Sequence, residues 1–358
     1  MEIIQAKHPC FLSVGSKPNF TQTHVLVFMK QASFFSNRPE TIPWVYGNGR
    51  QDKIRSLTRL HPKVINRENF AREAGNLGDL EVIFSTWGMP RLGSAELDRL
   101  PKLRAVFYAA GSVREFAAPL LKKGITVVSA WATNAHPTAL FAYSQIVLAL
   151  KGYFRNQREF TGPDQHANAW RGPGTRHSTV AILGSGQVGR LVLEHLRPLN
   201  LEVLVVSPHA DNAAIRAMGG QKVELAEAFA RASVVSNHIA DLPETVGLLK
   251  REHFASLPLG ATFINTGRGR TVCEKGLLEI FSQRKDLTAL LDVTDPEPPV
   301  ACSPLYTLRN IRLSTHLAGS IGQEVLSMAD CVIDEFESWL AGRPLRYSVS
   351  EAMLATMA

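Results

Sequence analysis

Arg268, Glu297 and His316 follow one another downstream of a glycine series, Gly184-Ser185-Gly186-Gln187-Val188-Gly189. An arginine presents a planar, permanently charged fork that suits a carboxylate. A histidine exchanges a proton near neutral pH, and a carboxylate on its second ring nitrogen favours the protonated ring. Glycines at a strand-to-helix turn let a pyrophosphate approach the backbone. Anion clamp, proton donor and dinucleotide together are what hydride reduction of a 2-oxo acid requires. Taken singly, each residue has an ordinary reading: a loop arginine, a solvated glutamate, a satisfied core histidine, a ligand-free glycine turn.

The elements around them decide between these readings. Ser178–Leu183 is an apolar run of strand type, and Gln187–Leu199 carries apolar residues at helical spacing. The glycines therefore stand where strand meets helix, the context in which the motif has meaning. Strand Glu202–Val206 follows and ends in Ser207-Pro208-His209. An acid at that place would bond the adenosine ribose and repel a 2′-phosphate. None is present, so NAD and NADP both stay open. A helix over Glu224–Ala232 leads to strand Val234-Val235 and then to Ser236-Asn237-His238. Ala261–Asn265 is another strand, ending in Thr266-Gly267-Arg268, and Cys273–Gln283 is helical. Thr288–Val293 and Ile311–Thr315 complete the series. Such alternation predicts an α/β fold with a parallel, doubly wound sheet. Arg268, the Asp292–Glu297 segment and His316 follow strand ends, where ligands bind in open parallel sheets.

The chain here resembles the D-isomer-specific 2-hydroxyacid dehydrogenases. The matching pieces are Gly184–Gly189, Ile264–Gly269, Leu291–Pro298, Ser314–Gly319, Pro243-Glu244-Thr245 and Gly342–Leu345. The resemblance implies two doubly wound parallel-sheet domains. A Rossmann-type coenzyme domain over residues 134–317 is inserted into a flavodoxin-like substrate domain over 1–133, completed by 318–358. It also implies a homodimer through the coenzyme domain. By the same resemblance His316 is the general acid/base, Glu297 its partner and Arg268 the substrate-binding residue. Asn265, Thr266 and Asp292 correspond to the nicotinamide side, and Asn237 to the coenzyme cleft. Asn265 and Asp292 also fit structural roles, as turn former and loop cap. Ser207, Pro208, His209, His238, Thr245, Gly267 and Gly319 complete the expected dinucleotide set. Glu297 departs from formate dehydrogenase, a relative that pairs its histidine with glutamine.

Toward the N-terminus the resemblance is looser. Strands are expected at His24–Met29, Glu81–Ser85 and Ala105–Ala109. Gly111, Ser112 and Val113 match the glycine turn whose amides hold the substrate carboxylate, and Trp87 stands at an analogous strand end. Two departures bear on substrate choice: Thr138-Ala139-Leu140 replaces Val-Ala-Glu, and Arg114-Glu115 replaces an acidic residue. One long helix is expected over His136–Gln157, and an apolar stripe of Val325, Met328, Val332, Phe336 and Leu340 on the last helix.

Composition agrees with this reading. The 358 residues accommodate two domains, and four scattered cysteines have no paired metal spacing, so no metal site is expected. Residues 1–22 are expected to be mobile. The start lacks a basic region followed by an apolar core, which points to a cytoplasmic protein. No apolar run reaches the ~20 residues that span a bilayer. The net charge of +7 is spread along the chain, without a nucleic-acid-binding motif, and suits attraction of a small anionic substrate. Two functions remain open: an NAD(P)H-dependent 2-oxo acid reductase, or a dinucleotide-sensing binding protein similar to the C-terminal-binding corepressors.

Overall fold

Strands without hydrophobic alternation, such as Val-Ala-Ile-Leu or Ala-Val-Phe-Tyr, must be buried on both faces. The computed structural model describes residues 29–357 and arranges them in two parallel sheets. The first holds β1 (Lys30–Phe35), β2 (Thr58–Leu60), β3 (Val82–Ser85), β4 (Ala105–Tyr108) and β5 (Thr126–Ser129), in the order β2-β1-β3-β4-β5. That is the flavodoxin-like order. Of the strand expected at His24–Met29 only Met29 is described, and it precedes β1; Cys10 and residues 1–22 also lie outside the described residues.

The second sheet comprises β6 (Thr179–Leu183), β7 (Glu202–Val206), β8 (Gln221–Lys222), β9 (Val234–Asn237), β10 (Thr262–Asn265), β11 (Thr288–Leu291) and β12 (Ile311–Leu313). Its order is β12-β11-β10-β9-β6-β7-β8, with the switch point between β6 and β9. Each sheet lies between two apolar layers.

The last long helix, Glu324–Leu340, returns to the first sheet. Val325, Met328, Val332 and Phe336 are fully buried there, with the Phe336 ring 5.0 Å from Phe84 and 5.3 Å from Phe107. Leu340, expected on the same stripe, is instead 39% exposed, because the helix runs out beyond the sheet. The tail then pairs along β5, where Val349 N–H donates to Val127 O.

The expected helix over His136–Gln157 is corrected. A helix begins earlier, at Trp131, runs to Leu150, and a second spans Tyr153–Glu159. Gly152 between them has φ +70, and a Cβ there would run into the Arg171 carbonyl. The returning strand of chain at Arg171-Gly172 therefore breaks the helix.

Candidate active site

Loops at the C-terminal ends of both sheets face one cleft, with a cavity of about 540 Å³ between them. Arg268, Asp292 and His316 line it from one side, and Trp87, Gly111 and Ser112 from the other.

His316 is held in an uncommon backbone conformation, φ +57, which non-glycine residues seldom adopt. The clamp is Asp292, which is 2% exposed. Its Oδ1 accepts from the Ser314 hydroxyl at 2.6 Å and the Leu317 amide at 2.9 Å, and its Oδ2 from the Ala318 amide at 2.9 Å. The His316 amide donates to the Asp292 carbonyl at 3.0 Å. So oriented, the His316 Nδ1 meets Glu297 Oε1 at 2.7 Å. That contact fixes the ring and leaves Nε2 to exchange a proton with whatever enters the cavity. The two side chains are 47% and 41% exposed, so the pair is open to proton exchange with water.

Arg268 is set by a polar lattice between β9 and β10. Asn237 Nδ2 donates to Asn265 Oδ1 at 3.0 Å and to Thr271 Oγ1 at 2.9 Å. Asn265 Nδ2 and the Thr271 hydroxyl in turn donate to the Arg268 carbonyl, at 3.2 and 2.8 Å. Asn237 and Asn265 are thus buried and engaged in shaping the loop, and neither is among the residues lining the cavity. Burial pulls the Arg268 guanidinium below its ordinary pKa, against the pull of Asp241 and Glu297. It stays a cation whose solvation is incomplete, poised to gain from an anionic ligand.

On the facing side, the amides of Gly111, Ser112 and Val113 have no hydrogen-bond acceptor among the described residues. Gly111 and Ser112 line the cavity, and successive unpaired amides in a turn are suited to an anion. The Val113 side chain is fully buried in the core, so only its amide can face a ligand.

The glycine turn fits a dinucleotide. Gly184 has φ +94, and a Cβ there would lie 2.7 Å from His238 O; at Gly189 a Cβ would run into the Gly184 carbonyl. A Cβ on Gly186 would meet nothing within 4 Å: that face is open to the cavity, which Gly186, Gln187 and Val188 line. The helix Gln187–Leu196 starts here, leaving its first-turn amides without intrahelical acceptors. His238, Thr266, Gly267 and Gly319 line the same cavity. His238 contacts Ser236 Oγ at 2.9 Å through Nε2 and Thr266 Oγ1 at 3.3 Å through Nδ1, and burial lowers its pKa to about 4, so the ring is neutral.

Other expected contacts sit apart from the cavity. Ser185 and Ser207 are buried and bonded to each other at 2.7 Å, while Pro208 and His209 are exposed at the edge beyond β7. Thr245 caps its own turn, accepting from Leu242 N–H and donating to Ala240 O. Sequence reasoning missed Asn134, Tyr108, Met353 and Met357, which line the cavity. Asn134 Oδ1 accepts from the Ser320 amide at 2.9 Å, tying the start of the helix Trp131–Leu150 to the loop after His316. No motif marks these residues; tertiary packing alone brings them in.

Residues 142–318 match the family model for the D-isomer specific 2-hydroxyacid dehydrogenase NAD binding domain. This part of the chain is an NAD(P)-binding Rossmann domain. Among curated proteins, the chain is 27% identical over 229 residues to a D-3-phosphoglycerate dehydrogenase of Archaeoglobus fulgidus, covering 64% of this chain and 44% of that one. It is 29% identical over 188 residues to glyoxylate/hydroxypyruvate reductase B of Yersinia pestis, covering 52% and 58%. The match thus spans about half the length of these relatives. Among solved structures, a phosphoglycerate oxidoreductase from Rhizobium etli superposes with a TM-score of 0.73 at 20% identity, over 91% of this chain and 99% of that one. D-mandelate dehydrogenase of Rhodotorula graminis gives 0.73 at 18%, over 90% and 98%. These likenesses establish the two-domain fold. No helix among the described residues is long and apolar enough to cross a membrane.

Proposed function

We propose that this chain, as a member of the D-isomer-specific 2-hydroxyacid dehydrogenase family, reduces a small 2-oxo acid to the D-2-hydroxy acid with NADH or NADPH. One observation carries the reading: His316, paired with Glu297 at 2.7 Å, lines the same cavity as Arg268, Gly111 and Ser112, and the amides of Gly111 and Ser112 have no acceptor among the described residues. The amides take the substrate carboxylate. Arg268 spans carboxylate and 2-oxo oxygen, polarising the carbonyl in a poorly solvated setting where its charge counts most. Bound nicotinamide supplies the hydride. Protonated His316 delivers a proton from Nε2 to the carbonyl oxygen, while Glu297 stabilises the imidazolium through Nδ1. In the reverse direction neutral His316 takes that proton back.

The homodimer is part of this proposal, supported by exposed apolar side chains along one stretch of the coenzyme half: Leu140, Tyr153, Phe160 and Trp170. The test follows nicotinamide absorbance with NADH and NADPH against a panel of 2-oxo acids. His316→Ala should lower kcat by roughly 10²–10⁴-fold with cofactor affinity retained. Tight cofactor binding without turnover of any acid would replace the reductase by the binding-protein reading. Light scattering on the same preparation should give twice the chain mass; a monomer mass removes the dimer.

A further inference from the structure

The inner cavity opens into a larger outer one of about 1210 Å³, and the two share Trp87, Tyr108, Ser112 and Arg268 as a common neck. Six arginines line the outer cavity: Arg38, Arg67, Arg91, Arg114, Arg268 and Arg270. Its three acids are already engaged. Glu115 pairs with Arg91 at 2.8 Å and Asp241 with Arg270 at 3.2 Å, while Glu96 accepts from the Gly93 amide at 2.9 Å. Arg38, Arg67 and Arg114 have no acidic partner among the described residues. An excess of cationic forks within one concave space, beside the reacting centre, focuses field on an anion.

The backbones of the two outermost arginines are fixed. Asn37 N–H donates to Gly88 O at 2.6 Å, and Asn37 Oδ1 accepts from the Arg67 amide at 2.9 Å. The Arg38 amide donates to Ser36 Oγ at 3.0 Å, and its carbonyl accepts from the Thr41 hydroxyl at 2.7 Å. Loops following β1, β2 and β3 are thereby tied into one platform that carries both guanidinium groups toward one space. Ordering these loops is done before any ligand arrives, which is what a preformed anion site requires.

We propose that the preferred substrate is a 2-oxo acid carrying a second anionic group, a carboxylate or a phosphate, which Arg38 and Arg67 bind in the outer cavity while the 2-oxo acid head lies against Arg268. This rests on the reductase reading and specifies its substrate class. The neck sets the geometry: the second anion stands on the far side of Trp87 and Tyr108 from His316. The shared chemistry is a terminal anion on a chain extending from C2, and the two sources differ in charge and size.

The experiment compares kcat/KM for matched pairs: 2-oxoglutarate against 2-oxohexanoate, and phosphohydroxypyruvate against hydroxypyruvate. The wild type should favour the dianion of at least one pair by about 30-fold, from two partly solvated arginine–anion contacts. Whichever pair shows the preference identifies carboxylate or phosphate. The double variant Arg38→Ala/Arg67→Ala should reduce the preference to about threefold or less, with the monoanions turned over as before, and added salt should erode it in the wild type. Equal use of mono- and dianions by the wild type, or a preference untouched in the double variant, overturns the proposal and leaves the reductase standing. Calorimetry of each dianion with the protein and oxidised dinucleotide, where no hydride is available, separates the two failures. Tighter binding by wild type than by the double variant, with no turnover of any acid, sinks the reductase and keeps the dianion site.

Discussion

Replacing Asp292 by Asn removes one charge and changes few atoms, yet it strikes the clamp that holds His316, the proposed proton donor. The carboxylate accepts three hydrogen bonds, from the Ser314 hydroxyl and the amides of Leu317 and Ala318. A carboxamide has one acceptor oxygen. If that oxygen keeps Ser314 and Leu317, its NH2 must face the Ala318 amide, donor against donor. Losing one charge-assisted bond and stranding a buried N–H costs about 2–4 kcal/mol; relief of burying a carboxylate offsets part of this, leaving about 2 kcal/mol. For a chain of this size that is a fall in Tm of about 4 °C. The larger consequence is local. His316 sits at φ +57, a strain of about 1–3 kcal/mol that persists only while its surroundings over-determine it. With the clamp weakened the loop relaxes, and a displacement near 1 Å at a catalytic group costs roughly 10²-fold in rate.

Two assays separate this positioning role from the nicotinamide contact that the sequence suggests for Asp292. Positioning predicts kcat down about 100-fold with cofactor Kd nearly unchanged. A direct nicotinamide contact predicts weakened cofactor binding with a smaller loss of kcat. An Asp292→Asn protein with wild-type Tm and kcat would refute the clamp argument outright.

The glycine turn yields a paired prediction. Gly186→Ala should leave Tm within about 1 °C, because its Cβ meets open space, yet weaken dinucleotide binding about tenfold or more by blocking close approach. Gly189→Ala should destabilise by about 1–3 kcal/mol, since its Cβ runs into the Gly184 carbonyl; equal effects in the two variants on thermal unfolding and fluorescence-monitored cofactor titration would contradict this division. His238 gives a pH dependence. Its folded pKa is about 4 against an ordinary 6.5, so the unfolded chain binds the extra proton and stability falls as pH drops from about 6.5 toward 4. Between pH 7 and pH 5 the loss is up to about 2 kcal/mol, less because the ring is partly open to the cavity; denaturant unfolding should register it in the wild type, and a His238→Gln protein with the same slope would show that His238 is not its source.

What the sequence made legible was local. Strand, glycine turn and helix at Thr179–Leu196 follow from apolar runs and backbone freedom within a short stretch. Arg268 and His316 can be placed from the sequence because parallel-sheet topology brings strand C-termini to one edge. The expected helix through Gly152 failed because the reason for its break, the Arg171 carbonyl, is remote in sequence. For Asn237 and Asn265 position alone leaves a cofactor contact and a structural role both open, and the structure shows them bonded to each other and, through Asn265, to the Arg268 carbonyl. A charge of +7 spread along the chain carried little meaning until folding collected six arginines around one cavity. Composition is blind to such convergence, since Arg38, Arg67, Arg91 and Arg114 belong to different loops of the first sheet.

In the proposed reaction, the division of labour between the sheets makes the join between them part of the chemistry. His316, Glu297 and Arg268 belong to loops of the second sheet, while the free amides of Gly111, Ser112 and Val113 belong to the first. On that reading neither half alone holds the substrate at its carboxylate and protonates it. Relative placement therefore has to be enforced across the cleft. Asn134 on the helix Trp131–Leu150 accepts from Ser320, three residues from Leu317 and the Asp292 clamp. Within the first-sheet half, Arg114 donates to the Met357 carbonyl at 3.3 Å, drawing the tail over the cavity it helps line. A substrate bound at once by the amides, Arg268 and the outer arginines bridges both sheets, so its own binding energy can draw them together, and a longer dianion has more of it to use than a short monoanion.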